Sequence, residues 1–130
     1  MSLEREILSA AKTIAVVGLS SDPLKPSYEV SAYMQRQGYR IIPVNPKETE
    51  ILGEKCYPDL ESVPEPVDLV NVFRRPQQSP EVVKSAIAIG AKAVWLQLGI
   101  ASEEARTLAE QAGLPYVEDR CVLIEHRKMR

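Results

Sequence analysis

The chain has 130 residues, of which 45% are hydrophobic and 26% charged, and its formal net charge is -2. That is enough for one compact core and too little for two, with a folded rather than a disordered composition. The balance excludes broad electrostatic binding to nucleic acid, which needs a basic face, and no apolar run approaches the roughly 18 residues of a membrane span.

The first segment, "MSLEREILSAAK", carries Glu4, Arg5 and Glu6. It lacks the apolar region of a signal peptide, so the chain is expected in the cytoplasm. It reads as a helix over Ser2–Ala11 with Ser2 as N-cap. An apolar run follows over Thr13–Gly18, "TIAVVG", and opens into a loop, "LSSDPLKPS". A helical pattern covers Ser27–Gln37 and stops at Gly38, a good C-cap. Arg40–Val44, "RIIPV", is the second strand, and a short one is expected near Lys55–Tyr57. The proline-rich Pro58–Pro66 reads as a surface connection with at most one helical turn.

Asp68–Phe73, "DLVNVF", is the next strand. A helix over Ser79–Ile89 follows, with Ser79 as cap and Pro80 at its first position, ending at Gly90. Ala93–Leu98, "AVWLQL", is another strand. The helix Ser102–Ala112 has Glu103 and Glu104 in its first turn, where the helix dipole favours them. Pro115–Val117 gives a last short strand, and Arg120–Arg130 a short packing helix. The two cysteines, Cys56 and Cys121, lack CxxC spacing and are expected as free thiols. A single histidine, His126, excludes a histidine-based metal cluster, and no metal is expected.

Near-continuous apolar strands alternating with helices are the βαβ rhythm. The expected fold is α/β: a single Rossmann-like, doubly wound, mostly parallel sheet of about five strands with helices on both faces, over residues 1–130. In such sheets ligands bind outside the carboxyl ends of the strands, where the strand order reverses. That rule selects four stretches: Gly18–Ser27, Asn45–Glu48, Phe73–Pro76 and Leu98–Ala101. Lys25, Lys47, Arg74 and Arg75 gather there, although the net charge is negative. Gly18 permits close approach, Ser20 and Ser21 offer donors, and a helix N-terminus nearby suits phosphate.

An NAD site wants G-x-G-x-x-G and an acidic residue roughly 20 residues later. Here the loop reads "GLSSDP" and the second strand ends in Asn45-Pro46-Lys47. A lysine there favours a phosphorylated ribose over a bare diol, as in NADP or the 3′-phosphate of coenzyme A.

The stretches "TIAVVGLSSDPLKPSYEV", "VNPK", "VFRRP", "VWLQLGI" and "AGLPYVEDRCVLIEHRKM" together resemble the small stand-alone CoA-binding proteins of bacteria and archaea. The same domain is similar to the N-terminal domain of the succinyl-CoA synthetase α subunit. The resemblance covers nearly the whole chain. It implies a Rossmann-like domain that binds coenzyme A or an acyl-CoA. It matches Gly18, Ser20, Ser21 and Asp22 to the loop on the CoA phosphates. Pro46 and Lys47 match the turn at the adenosine end, and Val72, Phe73 and Arg74 the strand end beside the nucleotide. Leu96, Gln97 and Leu98 match the loop near the pantetheine arm. Two departures stand out: Leu98 replaces the synthetase's glutamate, and Lys25 stands where many stand-alone members have arginine.

The synthetase's phosphorylated histidine domain and its nucleotide-binding subunit have no counterpart in this sequence, so ligase activity is not carried over. No nucleophile–base arrangement is evident and no catalytic residue is assigned. The leading expectation is a non-catalytic CoA-binding, sensing or carrier module. Two alternatives stay open: an NADP-binding oxidoreductase-type module, and a CoA-linked thiol redox enzyme using Cys121. A homodimer suits a chain this small with aromatic residues towards its C-terminal part.

Overall fold

The computed structural model describes residues 2–129. Helix α1 (Leu3–Ala10) starts at Ser2, whose hydroxyl accepts from the Arg5 N–H. Strand β1 (Thr13–Val17) leads through the glycine-serine loop into α2 (Pro26–Arg36). That helix begins one residue before the sequence reading, because Pro26 takes the first helical position, where its missing N–H costs nothing. Strand β2 (Arg40–Val44) follows.

The expected strand near Lys55–Tyr57 is divided in two. Glu50–Ile51 (β3) and Glu54–Lys55 (β4) form a small antiparallel hairpin, and Tyr57 makes a single parallel bridge to Val44 of β2. The proline-rich stretch contains one 3-10 turn, Leu60–Ser62. Then come β5 (Leu69–Val72), α3 (Ser79–Ala88), β6 (Ala93–Leu96), α4 (Glu103–Gln111), β7 (Tyr116–Val117) and α5 (Val122–Lys128).

The main sheet has the order β2-β1-β5-β6-β7, and every pair in it is parallel. The expected doubly wound, five-stranded fold is what forms. Alternating side chains divide into two buried layers. Ile14, Val16, Leu69 and Trp95 pack with α1, α2 and α5 through Leu8, Met34 and Val122. Ala15, Val17, Val70, Val72, Val94 and Leu96 pack with α3 and α4 through Val83, Ala86, Ala105 and Ala109. Strands covered on both faces carry apolar residues at nearly every position, which explains their near-continuous runs in the sequence. No helix among the described residues is long and apolar enough to cross a membrane.

Candidate functional site

From β1 the chain runs to β2 on one side, then crosses to β5 on the other. The strand order therefore reverses between β1 and β5, and a crevice opens beyond their carboxyl ends. Gly18 sits at its floor, with φ +89°. Its N–H donates to Val44 O at 2.9 Å, and Phe73 N–H donates to Val17 O at 2.8 Å. A Cβ on residue 18 would lie 2.4 Å from the carbonyl oxygen of Phe73. Only glycine lets the ends of β1 and β5 come this close in that conformation.

The loop after Gly18 is ordered by its own polar groups. Ser20 N–H donates to Ser27 Oγ, Asp22 N–H to Ser20 Oγ, and Leu24 N–H to Asp22 Oδ1, at 2.9–3.0 Å. The Ser27 hydroxyl is thus used to fold the loop back, and no side chain caps α2. Ser21 Oγ donates to Glu48 Oε2 at 2.6 Å and ties this loop to the one after β2. Asn45 joins the same two loops: its Nδ2 donates to Leu19 O at 3.0 Å, and its Oδ1 accepts from Lys47 N–H at 2.9 Å. Pro46, Lys47, Ser21, Asp22 and Lys25 are all exposed along this rim, and Arg74 is half-buried at the end of β5.

A cavity of about 420 Å³ lies beneath that rim on the α3 side. Its floor is Val17 and Val44, and its walls include Pro58, Leu60, Val82 and Arg74 together with the acidic Asp59, Glu61 and Glu81. Sequence reasoning missed the Pro58–Leu60 wall, because it read that stretch as a surface connection. The bridge from Tyr57 to Val44, with Asn45 N–H donating to Tyr57 O at 2.9 Å, folds it over the end of β2. Nothing local to "YPDL" carries that signal.

The predicted residues separate into two groups. Gly18, Ser20, Ser21, Asp22, Lys25, Pro46, Lys47, Phe73 and Arg74 lie on the loops and strand ends around the crevice. Val72 and Leu96 are fully buried in the α3–α4 layer. Gln97 is buried too: its amide donates to Asn71 Oδ1, and its Oε1 accepts from Val122 N–H. The side chains of these three residues hold the edge from beneath. Leu98, the next residue, is 63% exposed.

The far end of the edge is set by the segment after β7. Asp119, at φ +55°, accepts from Gly99 N–H at 2.7 Å and donates its own N–H to Ile100 O at 3.0 Å. Glu118 accepts from Arg106 and Tyr116. Burial pushes the Glu118 pKa up, yet Arg106, Tyr116 and the Ser102 N–H together hold it below the usual carboxylate range. Burial first, and then the Glu118 carboxylate, push the Tyr116 hydroxyl well above its usual value.

The two thiols differ. Cys56 is buried, and that burial raises its pKa, so it rests as a neutral thiol. Cys121 is half-buried, packed against the α2–α5 layer. His126 is tied to Tyr33, with Tyr33 Oη 2.8 Å from His126 Nδ1, far from the crevice on the α2–α5 face.

Residues 12–127 match the family model described as "CoA binding domain". An uncharacterized protein of Bacillus subtilis, YneT, is 43% identical over 122 residues, covering 94% of this chain and 90% of its own. Acetate–CoA ligase [ADP-forming] II of Archaeoglobus fulgidus is 32% identical over 101 residues; these cover 76% of this chain but only 15% of the ligase. Among solved structures, a hypothetical protein from Pyrococcus horikoshii OT3 superposes with a TM-score of 0.95 at 40% identity, covering 98% of this chain and 92% of its own.

Proposed function

The chain belongs to the CoA binding domain family, and from that membership we propose that it binds coenzyme A or an acyl-CoA at the carboxyl edge of its sheet, as a cytoplasmic binding, sensing or carrier module without chemistry of its own. The observation that carries the reading is the approach of Gly18 to Phe73 at the reversal of strand order. It brings a bare backbone floor beneath a rim that bears Lys25, Lys47 and Arg74. A diphosphate over Gly18–Asp22 meets the Ser21 N–H, the Ser20 and Ser21 hydroxyls and the start of α2. The apolar floor of Val17 and Val44, with Leu60 on the wall, suits a flat adenine ring. Lys47, at the end of β2, then faces the ribose 3′-phosphate. The similarity to part of an acetate–CoA ligase supports the same ligand class.

The ligase's own reaction is not proposed here, since the matched segment is a small share of that enzyme. Mass spectrometry of ligand released from the purified protein is the deciding experiment. Coenzyme A or an acyl-CoA is the expected mass, and a nicotinamide nucleotide alone overturns the reading. Lys47→Ala and Arg74→Ala are expected to weaken coenzyme A by about tenfold each, the worth of one charged hydrogen bond. Lys47→Ala is expected to leave dephospho-CoA nearly unchanged.

A further inference from the structure

Leu98 is a large apolar side chain held in solvent by a rigid support. Ile100 N–H donates to Gln97 O at 2.9 Å, and Gly99 has φ +84°. That is a type II turn with Leu98 and Gly99 at its centre. Each flank is fixed: Gln97 is buried and bonded to Asn71 and Val122, while Gly99 N–H is held by Asp119 Oδ1 at 2.7 Å. The turn cannot fold Leu98 inward without breaking these bonds. The other highly exposed large apolar residue, Leu24 at 92%, is on the loop after β1 at the same edge. Leu24 and Leu98 are the two most exposed large hydrophobic residues among those described.

Cations gather at the β2–β1–β5 end of this edge, where Asp22, Glu48 and the exposed Leu24 also lie. Lys47 follows β2, Lys25 lies in the loop after β1, and Arg74 and Arg75 follow β5. Leu98 and Ile100 follow β6, one strand further. Glu118, Asp119 and Arg120 follow β7 at the far end, with Glu118 paired to Arg106. An amphipathic ligand laid across the edge puts its phosphates at the β2–β1–β5 end and an apolar end at β6. A carboxylate at that apolar end would lose solvation against Leu98 and Ile100.

We propose that the ligand is an acyl-CoA with an uncharged, apolar acyl group, which Leu98 covers at the β6 end of the edge. This rests on the coenzyme A reading above and selects among its thioesters. Burying a methylene is worth about 0.8 kcal/mol, or close to fourfold in affinity, when it is complete, and about twofold on a half-covered surface.

The test is calorimetric titration of the whole protein and its Leu98→Ser variant with coenzyme A, butanoyl-CoA, hexanoyl-CoA and succinyl-CoA. Hexanoyl-CoA is expected to bind at least tenfold more tightly than coenzyme A, and succinyl-CoA more weakly than butanoyl-CoA. Leu98→Ser should remove the chain-length gain, so that butanoyl-CoA and hexanoyl-CoA bind it no more tightly than coenzyme A does. Equal binding of coenzyme A and hexanoyl-CoA by the parent overturns this inference alone. So does a Leu98→Ser variant that keeps the whole gain, or one that weakens all four ligands equally. If none of the four binds, the coenzyme A reading falls, and this inference with it.

Discussion

Replacing Gly18 by alanine tests the geometry at the reversal of strand order. Two costs arise. The first is the backbone: φ +89° is disfavoured for a residue with a Cβ by about 1–2 kcal/mol. The second is contact: the Cβ would sit 2.4 Å from Phe73 O, where real Cβ atoms keep at least 3.0 Å. The obstacle is a backbone carbonyl next to the Phe73 N–H···Val17 O bond, so no side-chain rotation relieves it. Parting β1 from β5 adds about 1–3 kcal/mol of overpacking. The sum is about 2–5 kcal/mol.

For 130 residues the unfolding entropy is about 0.27 kcal/mol/K, so Tm should fall by about 7–18 °C. Gly38→Ala is the control, since Gly38 has φ +101° and nothing within 4 Å of an added Cβ. It carries the backbone cost alone, worth a fall of about 4–7 °C. Differential scanning calorimetry of the two variants against the parent reads both values. Gly18→Ala should also lose coenzyme A binding, while Gly38→Ala keeps it. Equal falls in Tm for the two variants would refute the close-approach argument.

Three further outcomes follow from the same structure. Glu48 places a negative charge on the phosphate rim and accepts from Ser21; Glu48→Gln should tighten coenzyme A about threefold to tenfold, read by titration, and unchanged affinity counts against phosphates at Ser21. Asp68 is raised by burial but lowered further by the Thr13 and Lys12 N–H groups and Lys92, so its net pKa, like that of Glu118, lies below normal. Both stabilise the fold fully above their unfolded values near 4 and lose that contribution as pH falls through their folded values. Tm should therefore be level from about pH 7 to 5 and drop below about pH 4, and Asp68→Asn with Glu118→Gln should flatten the acid limb while lowering Tm at pH 7. Trp95→Phe removes a fully buried indole whose Nε1 donates to Arg120 O at 2.9 Å; it should cost about 2 kcal/mol in urea unfolding.

Much of the fold was legible because its signals are local. "TIAVV", "RIIPV" and "AVWL" are near-continuous apolar runs because helices cover both faces of their strands. Ser2 and Ser102 cap helices within three residues of themselves. The start of α2 was misplaced by one residue, because Pro26 competes with Ser27 for the first helical turn. Of the candidate site, the loops were legible from the rule that ligands gather at strand ends. Their separation into exposed and buried members was not. Val72, Leu96 and Gln97 stand in the same sequence neighbourhoods as Phe73, Arg74 and Leu98, and only packing against α3, α4 and Asn71 distinguishes them.

By itself, then, the sequence determined the alternation of strand and helix, the break at Gly18 and the family resemblance carried by "VNPK", "VFRRP" and "VWLQLGI". The tertiary structure alone decided that β1 lies beside β5, that Phe73 O closes on Gly18, that Pro58 and Leu60 wall a cavity, and that Leu98 is fixed outward by Asp119. The physical reason is range. Propensity, capping and turn chemistry act over a few residues. Strand order and the Gly18–Phe73 approach join residues far apart in sequence, and the packing of two layers on one sheet selects them.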